Sequence, residues 1–178
     1  MPPERIMFIR HAEKPDEGKD GVAADGSLDA ESLTVRGWQR AGALIAFFCA
    51  QPKMRPDAIF ASGIGHGSKG KRSAETVTPL AAKLNENRPV AFHAKHLKDD
   101  IQPLMDQVLS LEDTVLVCWE HKHIPELAAL LSGAPRVPKI WPDNRFDLVW
   151  IFDRAGAGWS FSQILQRLLP EDGDEPIS

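Results

Sequence analysis

Four apolar residues at positions 6–9, Ile-Met-Phe-Ile, stop abruptly at Arg10 and His11. The same pattern returns at 114–119, where TVLVCW stops at Glu120 and His121. Short apolar runs between polar neighbours read as strands buried on both faces of a parallel sheet. Positions 57–62 (DAIFAS) and 89–92 supply two more such runs. Two further runs, 146–152 and 159–165, flank the glycine-bearing DRAGAG and predict a hairpin. Helical spacing fills the intervals. With Thr34 as N-cap, Val35, Trp38, Ala41, Leu44, Ile45 and Phe48 share one face. Residues 71–84, 99–111 and 124–131 also read as helices, with Pro79 discordant in the first and Pro125 tolerated early in the last. Strands alternating with helices imply βαβ crossovers and a mainly parallel sheet, with the hairpin adding an antiparallel edge strand. The expected fold is a three-layer α/β/α sandwich in one domain over 1–178, with the acidic 171–178 fraying.

Composition narrows the function classes. A hydrophobic content of 43% and a net charge of −4 over 178 residues describe an ordinary globular chain with no dominant basic stripe. Nucleic acid and anionic membrane are therefore not expected partners. No apolar run approaches the ~20 residues of a membrane span. The start, MPPERIMFIRH, lacks a basic region followed by a long apolar stretch, so no signal peptide is expected and a cytoplasmic location is the default. Cys49 and Cys118 lie in separate apolar segments and are expected as free thiols.

The chemistry gathers at strand ends. In open α/β sheets ligands bind outside the carboxyl ends of the strands, which puts Arg10, His11 and His121 on one rim if both strands share a sheet. Arg72 opens a helix that follows another strand end and the glycine-rich turn GIGHGSKG. A helix N-terminus favours anions, and a guanidinium adds a planar fork suited to phosphate oxygens. Two arginines, two histidines and a helix start describe a pocket for a phosphate, with no metal or other cofactor needed. The His121-x-His123 pair and His93 with His96 lack accompanying ligands, so no metal site is expected. His66, Lys69 and Lys71 are read as a solvated loop, and Trp119, Trp141, Trp150 and Phe146 as core.

These residues resemble the histidine phosphatase superfamily, also called phosphoglycerate mutase-like, and among its branches a small bacterial-type member. The family's Arg-His-Gly after the first strand corresponds to Arg10-His11-Ala12, with alanine for glycine, and Lys14 stands where several branches carry an arginine. Its Leu-Thr-x-x-Gly helix start is Leu33-Thr34-Val35-Arg36-Gly37. Ser62 and Arg72-Ser73-Ala74-Glu75-Thr76 match the two ends of its next landmark across a longer turn. Its Gly-His after a buried strand is here Glu120-His121.

The resemblance implies a metal-independent phosphatase acting on a small phosphorylated substrate or a phosphohistidine protein. His11 would be the nucleophile, forming a phosphohistidine. Arg10, Arg72 and His121 would hold the phosphate oxygens, and Lys14 would add a further contact. The resemblance leaves the proton donor open among Glu13, Glu120, Asp99 and Asp100. An extended strand would point Glu120 and His121 to opposite faces, which counts against Glu120. Small phosphohistidine phosphatases need no dedicated acid, because their leaving group is already good. A non-catalytic phospholigand-binding domain and a mutase-type phosphotransferase are the alternatives. Glu75 is expected to support its helix or to orient Arg72.

Overall fold

The computed structural model describes residues 2–178, and among them six strands form one mixed sheet. In chain order these are β1 (Arg5–Arg10), β2 (Ala58–Ala61), β3 (Ala91–His93), β4 (Thr114–Trp119), β5 (Leu148–Ala155) and β6 (Gly158–Leu165). Helices α1 (Val35–Ala50), α2 (Arg72–Asn85), α3 (Ile101–Leu109) and α4 (Ile124–Ala129) stand between them. The spatial order is β3-β2-β4-β1-β5-β6, with β3, β2, β4 and β1 parallel and the C-terminal pair antiparallel. This is the expected α/β architecture.

The two-residue period of the strands sorts their side chains into two cores. Ile6, Phe8, Phe60, Val115, Val117 and Trp119 face the layer built from α3, α4 and the buried Trp141 and Trp150. Met7, Ile9, Ile59, Leu116 and Cys118 face the layer of α1 and α2, against Leu44, Phe48, Val77 and Leu80. The chain leaves β1 for β2 under one layer and returns from β3 to β4 under the other, so β1 and β4 become neighbours.

α1 starts as expected, with the Thr34 side chain accepting from the Gly37 amide at 3.1 Å. A Cβ at Gly37 would lie 2.6 Å from the Glu13 carbonyl oxygen, so glycine here lets the helix start press against the loop that follows β1. The expected apolar face differs at two places. Val35 is exposed and Arg40 is buried, because Arg40 has carboxylate partners at that depth.

The hairpin turn is tighter than DRAGAG suggested. Asp153 and Arg154 remain in register with Ser160 and Trp159, and only Gly156 and Ala157 form the loop, with Gly156 at φ 58°. β5 runs antiparallel to β1, and β6 pairs antiparallel to β5 at the edge of the sheet.

The C-terminal stretch expected to fray is anchored at Asp172, Gly173 and Ile177, while most of its other residues are exposed. Asp172 pairs with buried Arg40 at 2.6 Å, and Gly173 donates to Asp147 at 2.6 Å. Ile177 is buried in the tryptophan core, its backbone held on both sides by the Gln163 amide. Both cysteines are free, and Cys118 is fully buried behind the β1–β4 rim, where burial pushes its thiol well above the usual range. Among the described residues no helix is long and apolar enough to cross a membrane.

Candidate active site

The parallel ladder of β1 and β4 pairs Arg10 with Trp119, and the His11 amide extends it by donating to the Trp119 carbonyl at 3.1 Å. His11 and His121 therefore emerge at the same rim. Arg72 arrives from the first turn of α2. His11, Lys14, Arg72 and His121 together line a cavity of about 360 Å³.

Below the cavity, the loop that carries His11 is tied down by backbone and hydroxyl contacts. The Ala12 amide donates to Thr76 Oγ1 at 2.8 Å, and that hydroxyl donates to the Arg72 carbonyl at 2.7 Å. Ala12 is buried against Leu33 and Ala41, so its methyl group fills space in that small cluster.

His11 Nδ1 lies 2.7 Å from the Ala12 carbonyl oxygen. A carbonyl can only accept, so Nδ1 carries the proton and Nε2 keeps its lone pair. Burial, then the positive charge of Arg10, lowers the His11 pKa from 6.5 to about 3. Both causes disfavour the cationic ring, so His11 stays neutral well below neutral pH. Its ring signals in an NMR titration are expected to hold at the neutral position down to about pH 5, where an ordinary histidine is protonated. A midpoint above 6 would contradict this environment.

His121 is also buried, and burial with the Arg10 charge lowers its pKa to about 4. Arg10 is wholly buried behind the cavity. Its Nη1 donates to the carbonyls of Asp143 and Arg145, and its guanidinium lies 3.8 Å over the Phe146 ring. Phe146 is thus a platform for Arg10 and not core, while Trp119, Trp141 and Trp150 are buried as expected. Arg72 Nη2 donates to the Ala30 carbonyl at 3.0 Å and lies 3.7 Å from Glu31. Among the described residues, the buried side-chain polar atoms without a hydrogen-bond partner are Arg10 Nε, Arg72 Nε and His121 Nδ1. Buried polar groups are ordinarily satisfied, and these exceptions all fall on the proposed oxyanion ligands.

Several sequence expectations change. Glu13 is not poised as an acid, because both its oxygens face Arg40 Nε at 3.1 Å and Arg36 stands at 3.3 Å. Asp100 accepts from the Leu97 amide at 2.8 Å, and Asp99 lies 3.4 Å from His123, which also meets Glu126. Glu120 does line the cavity beside His121. β4 ends at Trp119 and the chain turns, so the opposite-face rule for an extended strand no longer applies. Glu75 holds Ser32 and the Leu33 amide at 2.7 and 2.9 Å, anchoring the long loop and not Arg72. Lys69 belongs to the cavity lining, whereas Lys71 pairs with Asp29 at 2.6 Å and His66 is exposed.

Sequence reasoning missed Lys98, Glu31 and above all Asp143. Asp143 Oδ1 lies 3.3 Å from Arg10 Nη2, 3.3 Å from Lys14 Nζ and 3.2 Å from His121 Nε2. Among the described residues no group of three or more His, Cys, Asp or Glu could hold a metal ion.

No family model and no curated protein matches the chain. Solved structures share its fold. A candidate alpha-ribazole-5'-P phosphatase from Escherichia coli superposes with a TM-score of 0.54 at 13% identity, over 90% of this chain and 96% of that one. The Rv3214 protein of Mycobacterium tuberculosis gives 0.53 at 11% identity, over 92% and 97%. A mutant phosphoserine phosphatase from Entamoeba histolytica, bound to phosphoserine, gives 0.55 at 14% identity, over 93% and 98%. The likeness covers nearly the whole of each chain. At these identities it establishes the common fold.

Proposed function

We propose that the chain is a histidine phosphatase that hydrolyses a phosphomonoester or phosphoramidate through a phosphohistidine on His11. One observation carries this reading. A neutral imidazole, its proton fixed on Nδ1 by the Ala12 carbonyl, opens its other nitrogen to a cavity shared with Arg72, His121 and Lys14. Two solved structures of the same fold bear phosphatase names, which supports the same class of chemistry.

The His11 Nε2 lone pair attacks phosphorus, and the P–N bond forms as the bond to the leaving group breaks. Arg10 Nε, Arg72 Nε and Nη2, and His121 surround the equatorial oxygens, where charge develops in the transition state. Water then attacks the phosphohistidine, releasing inorganic phosphate and restoring the neutral imidazole. Lys14 and Lys98 extend the positive rim toward the substrate. Glu120 is the one member of the four carboxylates considered as acids that lines the cavity, and it is the proposed proton source for a poor leaving group. A phosphoramidate whose nitrogen is already protonated leaves as a neutral amine and depends on it least.

Hydrolysis of p-nitrophenyl phosphate in excess EDTA, with brief acid-free quenching and mass spectrometry of the labelled chain, tests the mechanism. Turnover should persist in EDTA, and an acid-labile phosphoryl group should appear on His11. Phosphate binding without turnover would favour the non-catalytic domain, and loss of activity in EDTA would require a metal.

A further inference from the structure

At the edge of the cavity an anion that belongs to the protein touches two of its lining residues, Lys14 and His121. Asp143 lies between α4 and β5, outside every regular element. A single oxygen of its carboxylate stands at 3.2–3.3 Å from a guanidinium, an ammonium and an imidazole nitrogen. Those groups belong to Arg10 and His121, assigned above to the phosphoryl oxygens, and to Lys14 on the same rim. Convergence of three such groups on one oxygen is what an oxyanion site offers its ligand.

We infer that Asp143 is an internal competitor for the oxyanion subsite, sitting on its cations in the unliganded protein and setting its affinity and selectivity. The inference rests on the phosphate-site reading and goes further, assigning a role to a residue outside the resemblance. The way Asp143 is held supports displacement. Its backbone is fixed, because its own carbonyl and that of Arg145 accept from Arg10 Nη1. Its side chain is 71% exposed. Rotation about the side chain alone can therefore move the carboxylate into solvent while the backbone still holds Arg10. Arg10 Nη1 stays engaged, and Nη2 and the unpartnered Nε become available to the incoming oxygens.

Competition of this kind selects by charge. A diffusing carboxylate would exchange like for like against a tethered group, whose effective concentration is on the order of millimolar. A phosphoryl dianion brings more charge and more oxygens than the group it displaces, and Arg72 adds contacts that Asp143 does not use. Asp143 thus keeps small carboxylates out of the subsite and admits phosphoryl groups.

Calorimetric titration with inorganic phosphate, on the full chain and on Asp143→Asn and Asp143→Ala, decides the matter. Both variants should bind phosphate about tenfold more tightly, the factor expected when the competent state is occupied roughly a tenth of the time. Binding by the variants alone would also support the inference. Unchanged or weaker affinity in variants that fold, with the parent still binding, would overturn it and leave the phosphate site standing. Loss of folding in both variants would make Asp143 a structural ion-pair partner and would equally overturn it. Absence of phosphate binding in every form would remove both the competitor and the site.

Discussion

Replacing His11 with asparagine should lower kcat on p-nitrophenyl phosphate by roughly a thousandfold or more, with phosphate affinity kept within severalfold. Asparagine can still offer an N–H toward the Ala12 carbonyl, as His11 Nδ1 does at 2.7 Å, so the loop keeps its anchor. What disappears is the lone pair that the proposed mechanism uses to form the P–N bond. The cations that bind the oxyanion remain, so kcat and binding should separate. A variant that kept a tenth of the parent's kcat would place the nucleophile elsewhere. Equal loss of binding and turnover would mean that His11 chiefly shapes the pocket.

The second large effect concerns stability. Arg40 is 2% exposed and bridges two carboxylates, with Glu13 at 2.8 Å and Asp172 at 2.6 Å, while its Nη1 also donates to Gln166 at 3.0 Å. Arg40→Met keeps much of the apolar volume but strands both anions. Breaking one side of a buried pair costs about 3–5 kcal/mol. The low end, about 3 kcal/mol, applies because Arg36 still faces Glu13 at 3.3 Å. For a chain of this size the melting temperature should fall by roughly 6–12 °C. Adding Glu13→Gln and Asp172→Asn to Arg40→Met should recover part of the loss, since the stranded charges are then gone. A single variant melting within about 2 °C of the parent would show that solvent relaxes the network at little cost.

The sheet was legible because its strands are short apolar runs with abrupt polar ends. The residues that close the cavity from β1, α2 and β4 could be placed from those ends alone. Other features depended on paths that periodicity does not encode. Asp143 lies in an irregular, proline-rich segment, and its meeting with Lys14 requires that segment to cross the rim between β1 and β4. Glu120 was discounted by the alternation of an extended strand, which fails one residue after Trp119. Arg40 interrupts an apolar helical face, and a buried cation there signals a hidden anion. That anion is twofold, Glu13 and Asp172, which makes Glu13 a structural partner and anchors the acidic C-terminal stretch at Asp172. Phe146 looked like the start of β5, but the strand begins at Leu148, which leaves its ring free to lie on Arg10.

Cys118 sits one layer behind the loop that carries His11, sealed by α2 and held protonated by burial. Cys49, the other thiol, lies in the last turn of α1, away from the cavity rim. Peroxide and alkylating reagents silence phosphatases that depend on a reactive thiolate, because they attack the group that does the chemistry. On the proposed mechanism the attacking atom is a nitrogen, and the Cys118 thiol is walled off. Dephosphorylation by this chain would therefore continue through an oxidative burst that halts thiol-based enzymes in the same compartment.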